Sequence, residues 1–216
     1  MIEGGLSPYE DALQGSGSLS LVAVDGQELP LAIKRYLADA DEVDQTVLDL
    51  CVPPVLDVGC GPGRIVHALS AAGLPALGVD IAMVAVAITQ QRGAPAIIRS
   101  VFERVPGEGR WPTVLVLDGN VGIGGDVPGL LERLVSLIAP GGSVIVEASV
   151  EDPEADDVLD VRFGTDNQLM GPQFPWAVVG SAALIRHARN AGLAMTDYWS
   201  AGGRVFVRFD RDTEIR

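Results

Sequence analysis

The chain has 216 residues, 48% of them hydrophobic, enough for a single domain with a large core. Its formal charge is −14, from 15 basic and 29 acidic side chains, so it repels a phosphate backbone, which argues against nucleic acid as a partner. Lys34 is the one lysine, the arginines are scattered, and no basic patch offsets that balance.

The opening Met-Ile-Glu-Gly-Gly has neither the basic n-region nor the apolar h-region of a signal peptide. No apolar run approaches the length of a membrane span, so no membrane partner is expected. The two cysteines, Cys51 and Cys60, belong to no Cys-x-x-Cys or Cys/His cluster, so no metal is expected. Free thiols fit a cytoplasmic location. The oligomeric state is left open.

Residues 1–30 are rich in Gly and Ser and hold one short apolar run, Leu19–Val24, ending at Asp25-Gly26; they read as a small hairpin or lid. Residues 31–51 carry helical spacing through Leu31, Ile33 and Leu37, then Val43, Val47, Leu48 and Leu50. The acidic stretch Asp41–Asp44 can cap the second of these helices. Strand and helix signals then alternate. Strands are expected over Val55–Val58, Ala76–Val79, Ala96–Ser100, Thr113–Leu117 and Ser143–Ala148, and helices over Ile65–Ala72, Ala82–Gln91 and Val127–Ile138. Such alternation makes a three-layer α/β fold, a parallel sheet with helices on both faces. Runs of Val, Leu and Ile suit strands buried on both sides. After Val150 the pattern changes. An acidic loop, Glu151–Asp157, precedes an extra strand pair over Val158–Phe163 and Phe174–Val179. A helix over Ser181–Ala191 follows, then a hairpin of Leu193–Trp199 and Arg204–Phe209 around Ala201-Gly202-Gly203. The whole reads as one domain, 1–216: an N-terminal cover segment at 1–50, a binding core at 52–150, an insertion at 151–179, and a C-terminal helix and hairpin at 180–210.

The densest information lies at residues 55–64, Val-Leu-Asp-Val-Gly-Cys-Gly-Pro-Gly-Arg. A buried strand breaks into a turn with Gly59, Gly61 and Gly63 and feeds a helix. Glycines there permit positive φ and let the backbone approach a ligand closely. The helix start presents unpaired N–H groups. Asp57, at the strand's end, can hold a positive group. That favours S-adenosylmethionine (SAM), whose methionine part carries an ammonium, over a dinucleotide, whose pyrophosphate a carboxylate would repel. A dinucleotide fingerprint, Gly-x-Gly-x-x-Gly, would put its third glycine at Arg64, a poor fit.

The segment Asp57-Val58-Gly59-Cys60-Gly61-Pro62-Gly63 resembles motif I of class I SAM-dependent methyltransferases. The order of a parallel core, a helix and an antiparallel hairpin resembles the same family over about residues 52–210. The resemblance implies a Rossmann-like methyltransferase fold, SAM as cofactor, and methyl transfer to the O or N of a small-molecule partner. It places the cofactor against the turn, Asp57, Gly59, Cys60, Gly61 and Gly63. Asp80, ending the second strand, would accept from the ribose hydroxyls, as an acid about 20 residues on does in related Rossmann units, or would cap the next helix. Ile81 would lie on the adenine face. Near Val101 many relatives carry an Asp for the adenine amino group; here only backbone or the Ser100 hydroxyl is available, with Phe102 either covering the base or packing in the core. Asp118, Gly119 and Asn120, before the glycine-rich Gly122–Gly125 loop, would face the methionine part or the acceptor. Tyr9, Phe174 and Trp176 are candidate substrate residues in the covers. The loop lacks the Asn/Asp-Pro-Pro-aromatic signature of enzymes that methylate DNA amines. The catalytic residue is left unassigned: His67 follows the glycine turn and His187 lies on the apolar face of its helix, and a lone helical His is more often structural than a base. A SAM-binding module without catalysis and an NAD(P)-dependent reductase are the alternative readings.

Overall fold

The computed structural model describes residues 6–15, 17–165 and 168–211, so the opening Met-Ile-Glu-Gly-Gly lies outside it. The chain begins with α1 (Ser7–Gln14), then a hairpin of β1 (Leu19–Ala23) and β2 (Glu28–Leu31), turned at Asp25, whose carboxylate accepts from the Gln27 N–H at 3.0 Å. Two short helices follow, α2 (Ile33–Leu37) and α3 (Glu42–Leu48). Asp41 caps α3 as expected: Asp41 accepts from the Asp44 N–H and Asp44 accepts from the Asp41 N–H, a reciprocal box.

The core then runs β3 (Val55–Val58), α4 (Arg64–Ala71), β4 (Ala76–Asp80), α5 (Met83–Gln91), β5 (Ala96–Ile98), β6 (Trp111–Val116), α6 (Val127–Leu137) and β7 (Ile138–Ala148). Next come β8 (Asp156–Thr165), β9 (Gln168–Val179), α7 (Ser181–Asn190), β10 (Leu193–Ala201) and β11 (Arg204–Arg211). The main sheet has the order β10-β11-β7-β6-β3-β4-β5. From β7 to β5 its neighbours are parallel, and β11 and β10 add an antiparallel hairpin at the β7 edge.

Alternation of side chains explains why the core strands are apolar throughout. Leu56, Val58, Val114, Val116, Val144 and Val146 pack with α6 and α7. Val55, Leu115, Leu117 and Ile145 face the other way, onto α3 and α4. Each such buried aliphatic side chain contributes about 1.5–3 kcal/mol.

The hairpin at 19–31 and the strand pair after Val150 join in one antiparallel sheet, β2-β1-β8-β9. The seam is β1 against β8, with Leu21 opposite Phe163. This second sheet has its own core, in which Leu19, Leu21, Val161, Phe163 and Phe174 meet Ala12 and Leu13 of α1 and Ala82 and Ala85 of the main body. Three local expectations are corrected here. A helix, α1, occupies 7–14 where only a hairpin or lid was expected, and Leu31 belongs to β2 rather than to a helix. β5 ends at Ile98, so Ser100 and Val101 lie in the loop beyond it.

Candidate active site

From central β3 the chain crosses to β4 and β5 on one side and returns to β6 and β7 on the other. Open α/β sheets bind ligands at the carboxyl ends of strands around such a switch point. A cavity of about 430 Å³ lies there, a size suited to small organic ligands. The glycine turn and the ends of β4 and β6 line it below, and α1, α2 and the second sheet line it above.

The turn is held from three sides. Gly59, Gly61 and Gly63 all have positive φ. A Cβ on Gly61 would enter the cavity, 3.2 Å from the Tyr9 hydroxyl, so glycine keeps the floor open there. A Cβ on Gly63 would instead run into Thr89 of α5, whose hydroxyl donates to the Gly61 carbonyl at 2.9 Å. Asn120 donates to the Gly59 carbonyl at 2.8 Å. Asp80 accepts from the Gly61 N–H at 2.8 Å and from the Ala82 N–H at 2.8 Å. It thus ties the turn to β4 and holds the Ala82 N–H ahead of α5, whose start has no side-chain cap. A carboxylate has about four acceptor sites, so roughly two stay free for a ligand's hydroxyls.

Asp57 is buried beneath the turn, at 4% exposure. Burial, and then the neighbouring charge of Asp118, pushes its carboxyl up to about 7. Beside it lies a buried ionic cluster. Asp118 accepts from Arg64 Nη2 at 2.7 Å and from Arg35 Nη2 at 2.8 Å, while its own N–H donates to Glu147 Oε2 at 2.7 Å. Arg204 donates to Asp44 at 2.7 Å and through two nitrogens to Glu147 at 2.8 and 2.7 Å. Arg64 also pairs with Asp44. Burial works to raise the Asp44 carboxyl, but hydrogen bonds from Arg64 and Arg204 outweigh it and hold the group down at about 2. Asp118 has a φ of 57°, unusual for a residue other than glycine and frequent at functional sites.

Of the residues expected at the cofactor, Asp57, Gly59, Cys60 and Gly61 line the cavity from the turn, and Asp80 and Ile81 from the end of β4. Val101, Asp118 and Asn120 line it from the following loops. Tyr9, Phe174 and Trp176 line it from above. Gly63, Phe102 and Gly119 do not. Gly63 serves the packing on Thr89, half-exposed Phe102 lies beside Gly124, and Gly119 forms the left-handed start of the Asn120–Gly122 turn. Cys60 aims its sulfur at Gly78 of β4 rather than at a ligand, and burial raises its thiol well above the usual range.

Neither histidine lines the cavity. His187, expected to face an apolar core, instead places Nε2 2.9 Å from Asp156 and ties α7 to the start of β8. Tyr36 of α2, a residue of the N-terminal cover, lines the cavity as well, and Arg64 and Thr89 join the site without having been singled out in the sequence. Arg64 left one signal there: a charged side chain opening the apolar run Ile65-Val66 must be paired if the helix packs inward.

No protein-family model matches the sequence, and no curated protein does. Solved structures match the fold. A SAM-dependent methyltransferase from Bacteroides fragilis, in complex with S-adenosyl-L-homocysteine, superposes with a TM-score of 0.78 at 20% identity, over 95% of this chain and 94% of that one. The glycopeptide N-methyltransferase MtfA, complexed with SAM, gives 0.61 at 14% identity, over 81% and 95%. The 1,6-didemethyltoxoflavin-N1-methyltransferase of Burkholderia thailandensis gives 0.56 at 17% identity, over 73% and 70%. The chain has the class I methyltransferase fold.

Proposed function

We propose that this protein is a SAM-dependent methyltransferase acting on a nitrogen or oxygen of a small molecule. The observation that carries the reading is the open cradle at Gly61, flanked by a buried Asp57 and by Asp80 with acceptor sites to spare. A cationic ligand with a vicinal diol fits this donor and acceptor set. Asp57 would take the ammonium, Asp80 the ribose hydroxyls, and Ile81 and Val101 the adenine faces. Asp118 and Asn120 would border the methionine part. When bound, SAM supplies an electrophilic methyl on a sulfonium. The chain's contribution is to orient the acceptor and keep water away, which supplies much of the acceleration when the nucleophile is already reactive.

Two of the neighbours, a glycopeptide N-methyltransferase and a 1,6-didemethyltoxoflavin-N1-methyltransferase, support a nitrogen acceptor. The charge of −14 supports a small molecule over nucleic acid, and no described helix is long and apolar enough to cross a membrane. Free Cys51 and Cys60 support a cytoplasmic setting. The test is calorimetric titration with S-adenosylhomocysteine and with NADH, followed by turnover of SAM on a metabolite panel. Binding of S-adenosylhomocysteine alone is expected. Binding without turnover on any acceptor would favour a SAM-binding module, and preference for NADH would overturn the assignment.

A further inference from the structure

The half of the cavity above the glycine turn differs in chemistry from the half below. Below lie Asp57, Asp80, Asp118, Arg64 and Arg99; above, among the described residues, no lining side chain is charged. The second sheet contributes Leu21, Leu31 and an aromatic row. In that row Phe163 and Phe174 have ring centroids 5.2 Å apart, and Phe174 meets Trp176 edge-on at 6.5 Å. Tyr9 and Tyr36 bring the hydroxyls. Burial, first, and the carboxylates of Asp80 and Asp118, after it, raise the Tyr9 phenol well above its ordinary value. Burial and Asp118 push Tyr36 up to about 12. Both remain neutral phenols, able to donate and accept hydrogen bonds and unfit to remove a proton at neutral pH. Trp176 is fixed by a strand bridge to Ile123 and packs on Gly122, where a Cβ would strike its indole.

On these observations, and resting on the methyltransferase reading, we propose that the roof selects an uncharged, flat, aromatic acceptor and that the atom methylated is a neutral amine nitrogen. Burying a charged group against roof side chains that carry no charge is costly, since Arg35 of α2 does not line the cavity and is paired with Asp118, whereas a flat ring gains both apolar contact and edge or face contacts with the aromatic row. The fate of the proton points to nitrogen. The cavity's carboxylates lie below, where Asp57 and Asp80 face the cofactor side and Asp118 is paired with Arg64 and Arg35, and no histidine lines the cavity, so an alcohol held under the roof meets only neutral phenols and no base to take its proton. A neutral amine needs none. Its lone pair bonds to the methyl carbon as the carbon–sulfur bond breaks. The bonding pair stays on sulfur, which becomes a neutral thioether. The nitrogen takes the positive charge and loses a proton to water after release. The roof favours the neutral amine that this step requires, and the Tyr9 hydroxyl, overhanging Gly61, can orient the lone pair.

The experiment titrates the full chain, first saturated with S-adenosylhomocysteine, with three probes: an aminoquinoline, its carboxylated analogue and an amino sugar. Affinity for the aminoquinoline should exceed that for either other probe by about tenfold or more, the scale of one lost aromatic contact or one buried charge. Phe174→Ala should weaken the aminoquinoline about tenfold while S-adenosylhomocysteine affinity changes less than about twofold. Leu31→Arg, at a half-buried position, adds a counter-charge and should shift preference toward the carboxylate even if Phe174→Ala fails to fold. Equal or tighter binding of the carboxylate or sugar by the wild type, or no binding of the aminoquinoline, overturns the proposal. Failure of S-adenosylhomocysteine itself to bind overturns the parent reading instead.

Discussion

Asp57 is the residue on which the ligand assignment turns, because its environment is wrong for a carboxylate that stays empty-handed. It is buried, close to Asp118, and held up at about 7. Asp57→Asn keeps the shape and removes the charge. Melting temperature should hold or rise, since a desolvated charge is gone, while affinity for S-adenosylhomocysteine at pH 8 falls by about 1.5–3 kcal/mol, the worth of a charge-assisted hydrogen bond. Unchanged affinity in isothermal titration would remove Asp57 from the ammonium site. Arg64 makes the opposite case. It is 3% exposed and bridges Asp44 to Asp118. Arg64→Met leaves Asp44 with Arg204 and Asp118 with Arg35, so it should cost roughly 1.5–3 kcal/mol of stability, the worth of a lost hydrogen bond to a charged group. Chemical denaturation checks it, and a loss under about 1 kcal/mol would mean water or rearrangement satisfies both acids.

At the scale of elements, what could be read in the sequence was what is local. The strand–turn–helix at 55–71, the acidic ends of β4 and β6, the capping box at Asp41 and the terminal hairpin all carry their cause within a few residues. What escaped reading is set by distance. The pairing of Ser20 with Gly164 joins two segments that each looked like a separate cover, and no short-range pattern specifies that partnership. The ion pair of Arg35 with Asp118 spans 83 positions for the same reason. α1 left little trace because only Tyr9, Ala12 and Leu13 mark its apolar side within a Gly- and Ser-rich stretch. The shared sheet yields a prediction that separate covers would not. Leu21 is 2% exposed and faces Phe163 across the seam. Leu21→Asp, by burying a charge without a partner, should loosen both segments together. Hydrogen exchange should accelerate in 19–31 and 156–179 alike, with 55–80 still protected. Acceleration in 19–31 alone would show that the seam carries no cooperativity.

At the scale of the whole molecule, the buried acids and the net charge of −14 act in the same direction as pH changes. Asp57 stands at about 7 against an ordinary 3.8, chiefly through burial. Burial also raises Asp80 and Asp118. The native state therefore keeps protons that the unfolded chain releases, and stability falls as pH rises from about 4 to about 7. A tenfold change in proton affinity between the two states is worth about 1.4 kcal/mol, so Asp57 alone can account for up to about 4 kcal/mol of that fall. Self-repulsion of a chain gaining negative charge adds to it. Asp44 has the other sign. Held at about 2, it stabilises above its ordinary 3.8, and that stability is lost as pH drops toward 2. The melting temperature of the ligand-free protein should therefore peak near pH 4 and decline on both sides. A ligand ammonium beside Asp57 offsets the cost of ionising it. S-adenosylhomocysteine should then bind more tightly at pH 8 than at pH 6, by up to about tenfold, and flatten the decline in melting temperature over that span. Scanning calorimetry at half-unit steps from about pH 2 to pH 9, and with the ligand from pH 6 to 8, reads both effects. A melting temperature that climbs from pH 5 to 8 without ligand, or an affinity that falls over the same range, would show that Asp57 is neither the desolvated acid nor the cation's partner.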